Sequence, residues 1–402
     1  MDKPLSGVRV LEVDTFTAAS ACGRLLGEWG AEVIKVEMIG GEPGRYVGRT
    51  VGASVSPDEN PSFEANNAYK KSLALNLKTK EGLEAVNRLA DKCNVFFTNY
   101  RPNVLRKMGL DYETFHKNHP KTIWAQITGY GELGPACDDP GYDAVAFWAR
   151  SGAMIDMADS GELPLVPLLG FGDRTTSCSL AGAICAALYH QMRTGEGQKI
   201  SVSLYGQAIW NEGETIVSVQ CGDSFPKSRI YPNTPIADAF KSSDGKWFYT
   251  ACYNYDGFLP SILKAIDREE LLNDERFASL PSAKKHGTEI VELLSSEFAK
   301  HDLQYWTQRM KEFDVPFSPI NTVEQVLDDE QAFANGYLRR YKHRNGKEAV
   351  ISQSPVRFTE CEDGEYVNAP LVGEHSLEYL RLAGFSDDEI KDMIKSGAAA
   401  VL

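Results

Sequence analysis

VRVLEV at residues 8–13 and EVIKVE at residues 32–37 are two short apolar runs rich in β-branched residues. Between them, Ala18 to Trp29 carries apolar residues at helical spacing, so the three segments predict a βαβ unit. The alternation continues further along the chain, with predicted helices at 82–92 and 112–118 and predicted strands at 94–98 and 122–128. This alternation predicts an α/β fold with a parallel, doubly wound sheet of Rossmann type.

The length of 402 residues suggests two or three domains. Ser177 to Arg193 is small and apolar all round, which is typical of a buried helix. The sequence becomes more polar near Ser224, where a hairpin-like pair is followed by polar helices, and the α/β pattern returns from Pro319. We therefore expect a large α/β domain begun by residues 1–224 and completed by residues 319–402, with a small α+β domain formed by residues 225–318.

Composition excludes several classes of protein. Lys and Arg number 42 against 56 Asp and Glu, a formal charge of -14, so nucleic acid and anionic membrane are not expected partners. Neither a signal-type start nor a long uncharged apolar window is present, which predicts a cytoplasmic location. The eight cysteines are scattered and the seven histidines lack ligand spacing, so we expect reduced thiols and no metal.

Two segments invite comparison with dinucleotide sites. Glu37 ends the second predicted strand and could hold a ribose, but the turn DTFTAA at residues 14–19 has no glycine to admit a pyrophosphate. GYGELG at residues 129–134 matches the glycine pattern, yet Pro135 prevents an immediate helix. We predict a tight loop there and no nicotinamide cofactor.

Basic residues follow the predicted strand ends of this acidic chain. Ligands of doubly wound sheets collect at those ends, so the cluster predicts a site for an anionic ligand. Solvated surface remains an alternative for any single lysine. The residues are Lys35, Arg45, Arg49, Lys70, Lys71, Lys78, Arg101, Arg106 and Lys107.

Asp173 lies between a glycine pair and the predicted helix, in the segment GFGDRTT at residues 170–176. Such an aspartate could be an N-terminal cap of that helix. It could instead be a carboxylate nucleophile, since flanking glycines allow close approach and a thioester is electrophilic enough for an ionised Asp to attack. A serine hydrolase is disfavoured because the chain has no G-x-S-x-G segment.

Ordered motifs along the chain resemble the family III CoA-transferases, whose fold is shared with acyl-CoA racemases. The motifs are PLSGVRVLEV, GAEVIKVE, SLALNLKTKEG, FFTNYRPNVLRKMGLDYE, AQITGYGELGP, GYDAVAFWARSG, GFGDRTTS, TGEGQKISVSL, DVPFSPINTVEQVLDDEQ and APLVGEHSLEYLRLAGFS. The resemblance implies an enzyme that uses CoA as part of its substrate, with no permanently bound cofactor. It also implies a homodimer in which two chains thread through each other as interlocked rings.

The resemblance assigns the nucleophile to Asp173, which would form an aspartyl anhydride and then an aspartyl-CoA thioester. It names Tyr142 and Asp143 as further catalytic residues. The CoA contacts carry over onto Thr17, Ala18, Leu75, Asn76, Lys78, Asn99, Tyr100, Arg101 and Lys107. Met38 stands where relatives often have a basic residue, and Lys107 stands where they often have Arg, which leaves the phosphate contacts open. YNYDG at residues 253–257 replaces a four-glycine loop of oxalate-related members.

Racemases of this fold have a His-Asp pair where this chain has Tyr142 and Asp143, so a transferase is favoured over a 2-methylacyl-CoA racemase. The features GYGELGP and GFGD look most like transferases of (R)-2-hydroxy acids such as 2-hydroxyisocaproate or phenyllactate. Carnitine and dicarboxylate transferases, and a non-enzymatic CoA-binding protein, remain alternatives. An aromatic acyl pocket is expected from Phe16, Tyr142, Phe147, Trp148 and Phe171.

Overall fold

A computed structural model describes residues 2–361 and 364–402. Contacts divide these residues into two compact units, the first comprising 2–152, 167–215, 333–361 and 364–402, and the second 153–166 and 216–332. The domain boundaries expected from the sequence, after residues 224 and 318, stay predictions.

Twelve strands are present among the described residues. They are β1 Arg9–Val13, β2 Glu32–Glu37, β3 Lys70–Leu75, β4 Val95–Thr98, β5 Ile123–Thr128, β6 Lys199–Ser203, β7 Ala239–Lys241, β8 Trp247–Thr250, β9 Phe317–Pro319, β10 Leu338–Lys342, β11 Glu348–Ser352 and β12 Ala399–Ala400.

The helices begin and end as follows. They are α1 Ala18–Glu28, α2 Pro61–Asn67, α3 Lys80–Ala90, α4 Pro102–Met108, α5 Tyr112–Asn118, α6 Ala153–Asp156, α7 Phe171–Thr194, α8 Leu204–Asn211, α9 Gly213–Gln220, α10 Tyr255–Ala265, α11 Leu280–Lys285, α12 Gly287–Phe298, α13 Leu303–Glu312, α14 Val323–Val326, α15 Glu330–Ala334, α16 Ser376–Leu382 and α17 Asp387–Ser396, with 3₁₀ segments at Pro43–Val51 and Glu269–Asn273 and a π-helical segment at Asp143–Ala149.

The first unit contains a seven-stranded sheet in the order β12-β3-β2-β1-β4-β5-β6. All pairs are parallel except β12, which runs antiparallel to β3. The prediction of a parallel, doubly wound α/β sheet is confirmed. Because the strand order reverses between β1 and β4, the crevice at their carboxyl ends is where such a sheet binds ligands.

The central strands of this sheet are mainly apolar, as expected of parallel strands that are covered by helices. Leu11, Ile34, Leu73 and Phe96 are fully buried and pack in one core with side chains of α3, α16 and α17. The C-terminal residues 376–400 thus pack against, and add β12 to, the sheet that the N-terminal βαβ unit begins.

The second unit is built on the antiparallel sheet β7-β8-β9. Phe240, Phe248, Phe298 and Trp306 are buried in its core and contact one another edge-on or tilted. The predicted hairpin corresponds to β7 and β8, which pair in register from Ala239 opposite Tyr249.

Helix α7 differs from the expectation in two ways. It begins at Phe171, six residues earlier than predicted, so Asp173 lies inside its first turn. It is also not buried all round, because Tyr189 and Met192 are mainly exposed while Leu180 and Ile184 are buried. The prediction of a fully buried helix is wrong for the single chain.

Candidate functional site

A cavity of about 440 Å³ opens at the crevice between β1 and β4. The loops that follow these two strands are tied together there by Asn99. Its side-chain nitrogen donates to the Thr15 carbonyl at 2.6 Å, and its oxygen accepts from the Thr15 N–H at 3.1 Å. The cavity is lined by Thr15, Phe16, Thr17, Ala18, Asn99, Tyr100, Arg101, Pro102, Val104, Ile127, Thr128, Gly129, Cys137, Asp139, Gly141, Tyr142, Asp173 and Leu204.

Asp173 reaches this cavity from the first turn of α7. The residue before the helix is Gly170, whose φ of 70° lies in the left-handed region that glycine adopts without strain. Gly170, the N-cap residue, has no side chain with which to cap the helix, and Asp173 lies three positions further on, inside the first turn. The interpretation of Asp173 as a mere N-terminal cap is therefore wrong.

Asp143 supports the same helix end from the wall behind it. Its Oδ2 accepts a hydrogen bond from the Gly172 N–H at 3.2 Å, which compensates one of the free donors in the first turn. A Cβ on Gly172 would lie 2.3 Å from Asp143 Oδ1 and 2.4 Å from Phe147 Cγ, so only glycine fits. Asp143 does not line the cavity, although it was predicted among the catalytic residues.

The pKa of Asp173 is raised to about 7. Burial is the main cause, and the like charge of Asp143 adds to it, while Arg174 acts in the opposite direction. Near neutral pH the carboxyl group therefore exists in both forms. The ionised form is a poorly solvated carboxylate facing a cavity, which suits a nucleophile.

Helices α1 and α7 meet beside this carboxyl group. The Ser177 hydroxyl lies 2.5 Å from the Ala18 carbonyl oxygen and 2.7 Å from that of Asp173, so it can donate to either. Thr17 lies close to the start of α7, because a Cβ added to Gly170 would be 3.3 Å from the methyl carbon of Thr17. The segment Thr17–Ala18 at the start of α1 is therefore held against the start of α7, beside Asp173.

The predicted CoA contacts divide into two groups. Five of them line the cavity with Asp173 and Tyr142, namely Thr17, Ala18, Asn99, Tyr100 and Arg101. The other four are not part of the lining, namely Leu75, Asn76, Lys78 and Lys107. The Leu75 side chain is fully buried in the core of the sheet.

The acyl-pocket prediction is also only partly matched by the lining. Phe16 and Tyr142 face the cavity, with their rings edge to face at 6.1 Å. Phe147 and Trp148 are buried, and Phe171 is half-exposed without lining the cavity. The other apolar walls are Val104, Ile127 and Leu204.

Several basic residues expected to meet an anionic ligand form internal ion pairs instead. Lys35 Nζ contacts Glu12 at 2.9 Å and Asp14 at 2.5 Å, and Lys70 Nζ contacts Glu12 at 2.7 Å, all without solvent exposure. Arg45 forms a two-bond pair with Glu37. The expectation that Lys35, Lys70 and Arg45 bind phosphate is wrong, because buried acids on neighbouring strands neutralise them.

Sequence reasoning missed the acidic half of this network. Glu12 and Lys35 interrupt otherwise apolar strands, and the parallel register places them directly opposite each other. Burial raises the pKa of Glu12, and the charge of Asp14 adds to it. The sequence signal that could have predicted this ion pair is a pair of opposite charges at matching positions of two adjacent apolar strands.

Within residues 2–361 and 364–402, no group of three or more His, Cys, Asp or Glu side chains is arranged to hold a metal ion. The helices in that part of the chain are all too short or too polar to cross a membrane.

Comparison with known proteins gives a consistent result. The model of CoA-transferase family III matches residues 5–376. The chain is 38% identical to the (R)-2-hydroxy-4-methylpentanoate CoA-transferase of Clostridioides difficile, over 96% of this chain and 97% of the relative. It is 35% identical to the cinnamoyl-CoA:phenyllactate CoA-transferase of Clostridium sporogenes, over 97% and 96% of the two chains.

More distant relatives share the fold or differ in their acids. Succinyl-CoA:glutarate CoA-transferase of Mus musculus is 31% identical over 98% of this chain and 90% of the relative. The crystal structure of a CAIB/BAIF family protein from Brucella suis matches with a TM-score of 0.81 at 27% identity, covering 95% of this chain and all of that one.

Proposed function

Because the chain belongs to CoA-transferase family III and is thus a CoA-transferase, we propose that its acceptor is an (R)-2-hydroxy acid such as 2-hydroxyisocaproate or phenyllactate. The donor is then an enoyl-CoA or a 2-hydroxyacyl-CoA. The observation that carries the proposal is the position of Asp173 in one cavity with five of the predicted CoA contacts, at the reversal of strand order.

In this reaction Asp173 is the nucleophile that the protein supplies. Its carboxylate attacks the thioester carbonyl and releases CoA thiolate, which leaves a mixed anhydride. The thiolate then attacks the aspartyl carbonyl, and the donor acid leaves while an aspartyl-CoA thioester forms. The acceptor carboxylate repeats these two steps in reverse, so the new acyl-CoA departs and the Asp173 carboxylate is regenerated.

Other residues act by position. Asp143 holds the start of α7 through the Gly172 N–H, and the Ser177 hydroxyl bridges α1 and α7. Arg101 is an exposed cation in the cavity lining and suits the phosphate end of CoA. No step requires a proton relay, a metal or a redox group, so activity should survive EDTA and dialysis.

The wall of the cavity supports the choice of acid. Phe16, Tyr142, Val104, Ile127 and Leu204 form an uncharged surface beside Asp173. An apolar side chain of four to nine carbons would gain about 0.8 kcal/mol for each methylene that it buries there. A second carboxylate would enter a lining in which two carboxylates, Asp139 and Asp173, outnumber the cation of Arg101.

A homodimer is also part of the proposal. In the first unit, Tyr189, Met192 and Trp210 are at least 64% exposed, and in the second, Leu163 and Val166 are at least 85% exposed. Large exposed apolar side chains in such number are typical of an interface that a partner covers. Light scattering coupled to size-exclusion chromatography should give twice the chain mass of 44.4 kDa.

The chemistry is tested by trapping. Incubation with acyl-CoA followed by hydroxylamine should convert Asp173, and no other residue, to a hydroxamate detectable by peptide mass spectrometry. Asp173→Ala should abolish transfer, since no other side chain offers the anhydride route. Near wild-type transfer by that variant would refute the mechanism.

The acceptor is tested with a panel of acids under one donor. Branched or aromatic (R)-2-hydroxy acids should react fastest. A dicarboxylate or carnitine reacting faster than 2-hydroxyisocaproate and phenyllactate would overturn the acceptor while the transferase activity stands. Proton exchange at the α-carbon of a 2-methylacyl-CoA without transfer would favour the racemase alternative.

A further inference from the structure

Phe16 has a backbone conformation that few side chains adopt. Its φ is 62°, in the left-handed region, where a bulky non-glycine residue is strained. It lies in the loop between β1 and α1 and lines the cavity beside Thr17 and Asp173. Strain at such a position persists only when neighbouring groups hold the backbone in place.

Glu42 is one such group. Its Oε2 accepts the Phe16 N–H at 2.9 Å and the Gly44 N–H at 2.8 Å, and the side chain is almost completely buried. Phe16 and Glu42 are 26 positions apart in sequence, so this contact joins two separate loops. Asn99 fixes the preceding residue, Thr15, from a third loop.

The carboxylate of Glu42 is itself held by charge. Lys35 Nζ lies 3.5 Å from its Oε1, and the Glu42 N–H donates to Glu37 at 3.2 Å. Lys35 is fully buried and also contacts Glu12 and Asp14. A cation on one side and two N–H donors on the other leave the carboxylate a single orientation.

We propose that Glu42 is a positioning residue, which keeps Phe16 in its left-handed conformation so that Phe16 and Thr17 present acyl-CoA to Asp173. This role rests on the proposed function. The buried ion pairs of Lys35 with Glu12, Asp14 and Glu42 would then shape the cavity wall in addition to stabilising the sheet.

Glu42→Gln tests this role with little change of shape. An amide must place its NH₂ group either against Lys35 or against the two N–H donors, so one donor faces another donor in either orientation. We expect kcat/KM for acyl-CoA to fall by at least about tenfold, roughly the worth of one hydrogen bond to a charged group. The change should be mainly in KM, because the chemistry of Asp173 is untouched.

A double-mutant cycle separates positioning from general destabilisation. Glycine adopts the left-handed region freely, so Glu42→Gln should lower kcat/KM by less than about threefold when Phe16→Gly is already present. Glu64→Gln is the matched control. Glu64 is also buried and accepts from Tyr366 and Ala369, but it does not contact the cavity loops, so its loss should lower Tm without changing KM.

Gly44→Ala gives an independent perturbation if Glu42→Gln does not fold. The added Cβ would lie 2.7–2.8 Å from the Glu42 carboxylate oxygens and must displace them, so the same cycle with Phe16→Gly should show the same coupling. If the wild type transfers CoA but the two substitutions of a cycle lower kcat/KM by factors that simply multiply, the positioning role of Glu42 is overturned and the proposed function stands. A wild type that transfers CoA to no acid would overturn both this role and the proposed function.

Discussion

The Asp143 carboxylate accepts the N–H of Gly172 at 3.2 Å, one residue before the proposed nucleophile. This contact therefore affects both the helix that carries Asp173 and the charge of Asp173 itself. It stabilises the first turn of α7, and it brings a negative charge close to Asp173, whose pKa is raised to about 7 by burial and by that charge. The position of Asp173 and its protonation are thus coupled through Asp143.

The first prediction concerns the pH dependence of acylation. Only ionised Asp173 attacks, so the rate of formation of the hydroxylamine-trappable intermediate should rise with pH and level off above about 7. Asp143→Asn keeps a hydrogen-bond acceptor but removes the like charge, so the midpoint should move to lower pH.

Asp111→Asn serves as the control for that shift. Asp111 caps α5 through the Thr114 N–H, as Asp143 supports α7, but it is not among the causes of the Asp173 shift. Its midpoint should match that of the wild type. A midpoint that stays in place in Asp143→Asn would exclude Asp143 as a source of the raised pKa.

The second prediction concerns stability. The folded pKa of Asp173 lies above its unfolded value of about 3.9, so its contribution to stability is full below that value and is lost as pH rises through about 7. Asp173→Asn removes this loss. At pH 8 the variant should melt at a higher temperature than wild type, since a folded pKa of about 7 against about 3.9 in the unfolded chain corresponds to at most about 4 kcal/mol of lost stability.

The same comparison at pH 4 provides the check on its cause. There Asp173 is protonated in the folded chain, so the difference in Tm between variant and wild type should nearly vanish. A stabilisation independent of pH would mean that the asparagine gains new contacts, and the raised pKa would not explain it.

Much of the large sheet could be predicted, and the missed parts have physical reasons. The segment EVIKVE predicted the bounds of β2 because three β-branched residues, Val33, Ile34 and Val36, mark it as a strand, whereas β3 was not recognised because it begins with Lys70 and Lys71. Lys70 is buried only because Glu12 of a separate strand neutralises it. β12 is two alanines, and its antiparallel pairing with β3 carries no local signal.

The candidate site also has a part that the sequence predicts and a part that it does not. Asp173 could be found from its flanking glycines, since they are neighbours in sequence. The contacts that give it a raised pKa and a shaped cavity join residues 26 to 84 positions apart, such as Asp143 with Gly172 and Asn99 with Thr15. Those depend on how the loops converge at the β1–β4 crevice, which a pattern in one chain does not contain.

The third prediction concerns CoA binding at the cavity. Arg101→Ala should raise the apparent KM for acyl-CoA about tenfold, which corresponds to about 1.4 kcal/mol for one charged contact. Arg106→Ala is the matched control, because Arg106 lies on the following helix α4, is exposed and bonds Asn103 without lining the cavity. Its KM should change less than about twofold. Equal effects of the two substitutions would indicate a diffuse charge effect and remove Arg101 from the proposed CoA site.

The fourth prediction concerns the buried ion pairs. Lys70→Met leaves Glu12 with Lys35 as its only cation and removes the donor to Ser20 O and Asn67 Oδ1. Breaking a buried pair in this way should cost about 3–5 kcal/mol in the free energy of unfolding.

The pH dependence of that cost identifies Glu12 as its source. Burial already raises the pKa of Glu12 above its unfolded value, and loss of Lys70 raises it further, so the stability that Glu12 retains at low pH is lost as pH rises. Urea unfolding should therefore show a large deficit at pH 8 and a small one at pH 5. Lys71 is the neighbouring half-buried lysine, and its Nζ lies 3.4 Å from His375 Nε2. Lys71→Met should show neither the large deficit nor its pH dependence. If Lys70→Met were equally destabilising at both pH values, lost packing and hydrogen bonds would account for the cost, and the ionisation of Glu12 would not.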